Sequence, residues 1–395
     1  MNLLETLDKN EMVIPDYTNY SIIDLIRTVY KYCGYYNKKH YIKNGMENYI
    51  HNKKHILFIL CDGMGSNVIN SLPNNMLLKK NKVKDLLTVC PTTTGCVLSS
   101  IATAEYPAIH GMIGWYNYNR AKNLDYYVLL FKDRKNKIDL NELNIKEKDI
   151  YVYDSVVNKL KRDVVTFFPQ KNVDSKFSKF FCNSNRVGFK DIDEAFQKAI
   201  KNIEQNLDKE TYSYIYLPYV DTVSHEYGVY SDEVKEVIYK IEKQISQLKE
   251  KNIQDLEIII TADHGQIDIT KKGIVMDFNK YNNYFYALPG IDYGTVTYYV
   301  KQEKRKQFIE EFKKDYNEKM YIFDTEEFIK NNIFGNDKIS NYMKSNLGEF
   351  ISFCKKGDYF INNIESPDQY LGNIKGNHSG FSADELYIPL IVIDS

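Results

Sequence analysis

The sequence predicts an α/β fold, a mostly parallel central sheet flanked by helices with an inserted cap. Three observations carry this. Continuous apolar runs bounded by turn residues recur along the chain, the pattern of strands buried on both faces. Segments with helical amphipathic period alternate with those runs. Acids and histidines cluster just beyond the ends of several runs, where an open parallel sheet gathers its ligands.

In chain order, the run ILFILC gives a first strand over His55–Cys61, followed by a helix over 65–72. The segment VCPTTTGCVLSSIAT reads as a strand end, a Pro-containing turn and a helix over Thr94–Thr103. Residues 116–148 are polar and irregular and fit the core poorly. Further strands are expected at 164–168, 214–220 and Leu256–Thr261, with 387–393 closing the parallel set as a fifth. Helices at 191–207 and 231–251 are charged on one face and apolar on the other. Residues 273–375 mix a short strand (294–300) with a charged helix (303–316) and read as an inserted cap. This leaves 1–272 and 376–395 as the catalytic core.

Composition narrows the function. Hydrophobic residues make up 43% of the 395-residue chain, enough for a sizeable core. The 52 basic and 53 acidic residues give no excess for docking nucleic acid, although a small nucleotide remains possible. The longest apolar runs are far too short to span a bilayer. The opening MNLLETLDKNEM lacks the basic-then-apolar pattern of a signal peptide. Six cysteines without paired spacing read as reduced thiols, so a cytoplasmic location is expected. Oligomeric state is silent.

Five separated stretches carry the chemistry. ILFILCDG supplies Asp62, YVDTVSHEYG supplies Asp221 and His225, TADHG supplies Asp263 and His264, and GNHSG supplies His378. A single Asp at a strand end is as readily a helix cap as a ligand. Three such acids, each beside Gly or His, point instead to a shared site. The DxxxH spacing puts Asp221 and His225 on one helical face if that turn is helical. The fifth stretch, CPTTTG, places Thr94 before a helix, where amides and the macrodipole favour an anion. Thr92 and Thr93 compete with it on chemistry alone. His110 in YPAIHG reads as structural. Three Asp, three His and one hydroxyl can fill two adjacent divalent-metal sites; zinc suits the donors and manganese can replace it.

The order ILCDG, PTTTG…YPAIHG, YVDTVSHEYG, TADHG and GNHSG resembles the alkaline phosphatase superfamily, and within it the type I phosphodiesterase and nucleotide pyrophosphatase branch. The resemblance spans most of the chain and implies an alkaline-phosphatase-like fold. It implies one zinc held by Asp62, Thr94, Asp263 and His264, and a second held by Asp221, His225 and His378. Its PTxT pattern selects Thr94 as a nucleophile that forms, and then loses to water, a phosphoryl or nucleotidyl group. The chain departs from the family where Gly95-Cys96-Val97-Leu98 replaces an aromatic and Pro-Asn-His after the nucleophile. Trp115 stands where an oxyanion-stabilising Asn is common, which makes Asn117 the substrate-binding candidate. Threonine as nucleophile, with Arg120 the closest downstream arginine, favours a diesterase or pyrophosphatase of small phosphodiester or nucleotide substrates. A phosphomonoesterase, a phosphonate hydrolase, or a non-catalytic metal-dependent binding protein are the alternatives.

Overall fold

His55–Cys61 is buried at every position and forms the centre of the larger sheet. It pairs in parallel with Thr211–Leu217 on one side and Leu256–Thr261 on the other, both equally buried. Apolar side chains on both faces are what this position demands. The coordinates are a computed structural model that describes residues 2–40, 45–271, 273–355, 357–361 and 373–394. Across the sheet the order is Lys82–Leu87, Tyr387–Asp394, Leu256–Thr261, His55–Cys61, Thr211–Leu217, Asp163–Pro169 and Arg186–Phe189.

The fifth strand expected from the sequence is present, but it runs antiparallel to both its neighbours. The reason is the chain's path. The GNHSG loop already lies at the carboxyl end of the parallel strands, and the few residues before Tyr387 are too short for a crossover to the other end. The chain therefore returns directly down the sheet. The two edge strands, Lys82–Leu87 and Arg186–Phe189, escape the apolar-run criterion because their exposure and charge are those of an edge.

Helices Ile192–Glu204 and Asp232–Glu250 form where the period places them. Asp191 and Ser231 cap them by accepting N–H bonds from Glu194 and Val234. Their buried stripes (Ala195, Phe196, Ala199, Ile203 and Val234, Ile238, Ile241, Ile245) face the core. Helix Thr94–Thr103 is buried along nearly its whole length.

A second sheet has the order Met320–Asp324, Phe350–Cys354, Thr295–Tyr298, Gly290–Ile291, Tyr116–Asn119, Leu124–Tyr127 and Lys132–Asp133. Residues 116–148, irregular by sequence, thus supply three of its strands and join the later insert where Ile291 pairs with Tyr116. The two segments share one sheet. Ile291 and Phe353 belong to the main core, while helix Arg305–Tyr316 packs Phe308 and Phe312 into a smaller core with Tyr281 and Tyr298. Residues 356 and 362–372 of the expected cap lie outside the described residues. Among the described residues no helix is long and apolar enough to cross a membrane.

Candidate metal centre and active site

The carboxyl ends of three adjacent strands bring the acids together. Asp62 follows His55–Cys61, and its N–H extends the parallel ladder to Leu217 O at 2.9 Å. The Asp221 N–H in turn donates to Asp62 O at 2.9 Å. Gly63 permits this approach: it has φ +74°, and a Cβ there would lie 2.8 Å from Asp221 Cα. Asp221 opens helix Tyr219–Tyr227 and His225 sits one turn on, so the spacing does put both on one face. Asp263 and His264 follow Leu256–Thr261. His378 follows Gly376–Asn377, which pairs with Ile267–Asp268 just past the TADHG turn.

These six side chains form two groups of three, Asp62–Asp263–His264 and Asp221–His225–His378, each able to hold one cation. His264 Nε2 lies 3.5 Å from Asp62 Oδ1 and 3.4 Å from Asp263 Oδ2. Asp221 Oδ1 lies 3.2 Å from His225 Nε2 and 3.7 Å from His378 Nε2. The groups meet where the rings of His264 and His378 stack at 3.9 Å. Each imidazole is oriented from behind. Nδ1 of His225, His264 and His378 faces the carbonyls of Gly376 (2.8 Å), Gly265 (3.1 Å) and Thr92 (2.8 Å). A carbonyl only accepts, so Nδ1 carries a proton in each ring; Nε2 of His264 and His378 is then the inward acceptor, while Nε2 of His225 becomes one only on losing the proton it shares with Asp221. Asp62 Oδ1 and Asp263 Oδ2 are buried without a hydrogen-bond partner. Buried, unpartnered carboxylate oxygens facing imidazole lone pairs are costly without a cation and suited to one. The oxygen and nitrogen donors fit divalent zinc.

Second contacts hold the acids. Tyr216 donates its hydroxyl to Asp62 Oδ2, and Gln266 donates its amide to Asp221 Oδ1. The N–H groups of Gly63 (3.1 Å) and His264 (2.9 Å) donate to Asp263 Oδ1. Burial, with the charges of Asp263 and Asp221, pushes the Asp62 carboxyl well above its ordinary range. Burial also opposes ionisation of Asp221, but His225, His378 and His264 outweigh it and hold that carboxyl low. His225 is correspondingly raised to about 9, because Asp221 overcomes its burial. His378 is pushed well below its usual value by burial and by neighbouring His264.

The three threonines separate clearly. Thr92 donates to Gly380 O at 3.3 Å while its carbonyl holds His378. The Thr93 hydroxyl bonds the carboxylate of Asp292. Thr94, first residue of its helix, places Oγ1 3.2 Å from His264 Nε2. Gly95 lets this helix start lie against the chain at Gly114, whose carbonyl would be 2.9 Å from an added Cβ. His110 is a structural tie. Its Nδ1 accepts the Met112 N–H at 3.1 Å, Nε2 meets Ser100 Oγ at 2.8 Å, and burial drives its pKa down to about 3. Asn117 is buried, with its amide donating to Gly111 O at 3.1 Å. The same amide reaches Tyr126 Oη at 3.5 Å. Arg120 is engaged by Tyr286 and Glu349. Tyr216, Gln266 and Asp292 belong to the site without having been singled out by sequence. Tyr216 is one residue before the end of a strand adjacent to the Asp62 strand, and Gln266 directly follows TADHG, both readable signals. Asp292, inside the insert, had none.

A parallel sheet whose strand ends carry two adjoining carboxylate–histidine groups, beside a hydroxyl at a helix start, places the protein in the alkaline phosphatase superfamily. Within it, the chain belongs to the type I phosphodiesterase / nucleotide pyrophosphatase family, which it matches over residues 56–381. Curated relatives include ectonucleotide pyrophosphatase/phosphodiesterase family member 7 of Mus musculus, 25% identical over 132 residues that cover 31% of this chain and 30% of that protein. The Homo sapiens counterpart is 27% identical over 134 residues, covering 32% and 29%. These matches span about 30% of the relatives' own length. Among solved structures, murine ectonucleotide pyrophosphatase/phosphodiesterase 5 aligns with a TM-score of 0.64 at 16% identity, covering 85% of this chain and 87% of that one. It has also been solved as an inactive threonine-to-alanine variant in complex with AMP. Phosphonoacetate hydrolase from Sinorhizobium meliloti 1021 aligns with a TM-score of 0.60 at 15% identity, covering 85% and 89%.

Proposed function

We propose that this protein hydrolyses phosphodiester or phosphoanhydride bonds of small substrates, nucleotides included, with Thr94 as nucleophile and two zinc ions as cofactors. The observation that carries the reading is the convergence of Thr94 Oγ1 and two three-residue ligand groups on one point at the sheet's carboxyl end. Asp62, Asp263, His264 and Thr94 would hold one ion, and Asp221, His225 and His378 the other. Bound divalent ions would supply Lewis acidity, lowering the pKa of the Thr94 hydroxyl and balancing charge on phosphoryl oxygens. The rest is done by the chain. The Thr94 and Gly95 amides, at the first helical positions, have no intrahelical acceptor and can donate to the phosphate. Thr94 Oγ1 bonds to phosphorus as the bond to the leaving oxygen breaks, and that oxygen departs with the electron pair. Water then attacks the same phosphorus, and Thr94 Oγ1 leaves and regains a proton. Arg120, held by Glu349 and Tyr286, is not offered as the clamp that would favour a dianionic monoester. The AMP complex of the inactive threonine variant of the murine relative supports both the threonine and a nucleotide-sized ligand. Six buried, unpaired cysteines support a cytoplasmic home.

The test compares an aryl phosphodiester with its monoester and with phosphonoacetate, with and without zinc. Diester turnover that depends on zinc is expected. Preference for the monoester or the phosphonate would replace the reading by one of those activities. No turnover of any, with zinc bound, would leave a non-catalytic binding protein.

A further inference from the structure

We propose that His51, Glu257 and Asp394 form a further divalent-cation site, suited to zinc, at the end of the main sheet opposite the catalytic centre. The group uses no residue of that centre and does not depend on the hydrolase reading.

The topology brings the three side chains together. Glu257 is the second residue of strand Leu256–Thr261, whose far end leads to Asp263. The extended chain between these two acids sets the group roughly 20 Å from the deep ligand group. On one side Glu257 stands opposite Ile56 of the parallel strand His55–Cys61. On the other it stands directly opposite Asp394 of the antiparallel strand Tyr387–Asp394. The antiparallel return of that strand is what carries its final acid to the sheet's amino end. His51 comes from the segment just before His55–Cys61, and its N–H donates to both Glu257 carboxylate oxygens at 2.9 Å. Its Nδ1 lies 2.9 Å from Glu257 Oε1, and one donor atom from each of the three residues falls within 4.8 Å of the other two. The group has the composition of the deep catalytic group, two carboxylates and one imidazole, and zinc suits that set.

Two features make a cation the fitting occupant. Carboxylates directly opposite one another across an antiparallel pair repel, and Glu257 and Asp394 share that register. Glu257 is also fully buried, where an ionised carboxylate is costly unless it is paired. Among the described residues no lysine or arginine pairs with Glu257, and Lys53 Nζ comes only to 3.8 Å from Asp394 Oδ1, beyond hydrogen-bond distance. A divalent ion held by both carboxylates turns their repulsion into attraction. His51 can join them because its ring is half-exposed: the proton on Nδ1 moves to Nε2, and Nδ1 offers its lone pair. The side chains of His51 and Asp394 are 54% and 61% exposed, so water completes the coordination. The ion is therefore held more loosely than in the catalytic groups and fills its site only when zinc is in excess. Bound there, it fastens the segment at His51 and the closing strand to the middle of the sheet.

The experiment uses the full chain dialysed against excess free zinc. It compares wild type with H51A, D394N and E257Q; should buried E257Q fail to fold, the two exposed positions still decide. Three quantities are read: bound zinc per chain, the rise in Tm on adding zinc to protein whose catalytic groups are already loaded, and the imidazole nitrogen resonances, with those of His51 assigned by their loss in H51A. Wild type should bind one ion more than each variant, a difference that holds whatever number the catalytic groups carry. Excess zinc should raise the Tm of wild type by a few degrees and leave H51A and D394N unmoved. It should also shift the Nδ1 resonance of His51 in wild type and not in D394N. Equal zinc in wild type and the variants overturns the proposal, as does a His51 resonance that ignores zinc. Loss of the ion in H51A but not in D394N, or the reverse, overturns the three-residue ligand set.

Discussion

The two ligand groups have similar composition and opposite electrostatics. Asp62, Asp263 and His264 are sealed from solvent, with side chains at most 3% exposed. Asp221, His225 and His378 sit nearer the mouth, at 16%, 31% and 8%. In the deep group two carboxylates face each other, and Asp62 resists ionisation because burial and Asp263 oppose it. In the outer group Asp221 and His225 satisfy each other as an ion pair. The deep group therefore demands a cation, whereas the outer group must give up a proton from His225 to accept one. The difference teaches that an ion in the deep group would be bound into the stability of the fold, whereas one in the outer group would exchange more readily with solvent.

Thr94 belongs to the deep side through His264, and its loss should be the largest effect. Thr94→Ala should lower kcat on the order of 10³-fold or more, since the covalent route disappears. Thr94 is the first helical residue, and the N-cap position before it is Thr93, which makes no side-chain cap bond, so the fold should survive and circular dichroism should be unchanged. Thr94→Ser should retain measurable turnover because the attacking oxygen remains. Near wild-type activity of Thr94→Ala would remove threonine from the mechanism. Next comes the division of ligands itself. His378→Ala should release the outer ion and leave the deep one mostly bound, read by elemental analysis as roughly half the wild-type zinc. Equal loss from both groups would mean that the two are not separable.

The meeting of these six side chains was legible in the sequence for a physical reason. A parallel sheet forces ligands to the carboxyl ends of its strands, so an apolar run followed by Asp reports both the strand and the site. Asp62, Asp221 and Asp263 all obey this. Local spacing served equally well where one helical turn sufficed, as for Asp221 and His225. What stayed hidden depends on contacts between distant segments. The antiparallel return of Tyr387–Asp394 follows from where His378 must stand, which no window around residue 390 records. The union of residues 116–133 with the later insert is made between distant segments, by the pairing of Ile291 with Tyr116 and by contacts such as Asn119 with Asn346 at 2.8 Å.

The polar neighbours sharpen the contrast at smaller cost. Tyr216→Phe removes the hydroxyl that steadies Asp62, and Gln266→Leu removes the amide that steadies Asp221. Each should weaken zinc at its own group by about 10-fold to 100-fold, the usual scale for partners of metal ligands. A competitive chelator titration should show Tyr216→Phe shifting the tight phase and Gln266→Leu the weak one. A reversed pattern would exchange the roles assigned to the deep and outer groups.

The smallest effect is on stability, and pH separates the two contributions. In chelated protein the raised Asp62 carboxyl keeps a proton that the unfolded chain has released, so its contribution falls as pH rises above the ordinary carboxylate range of about 4. His225, raised to about 9, adds stability that is full below the unfolded histidine value of about 6.5 and is lost as pH climbs through about 9. Asp221, held low, titrates below this window. A bound divalent ion would displace both protons, so the loaded protein should escape both losses. The gap in Tm between loaded and chelated protein should widen steadily from pH 5 to pH 9, by an amount on the order of a few degrees. Groups common to both forms, such as buried His110, cancel in that difference. In His225→Gln the steeper part above about pH 6.5 should flatten while the slope at lower pH remains. A gap that narrows with rising pH would contradict the electrostatics of both groups.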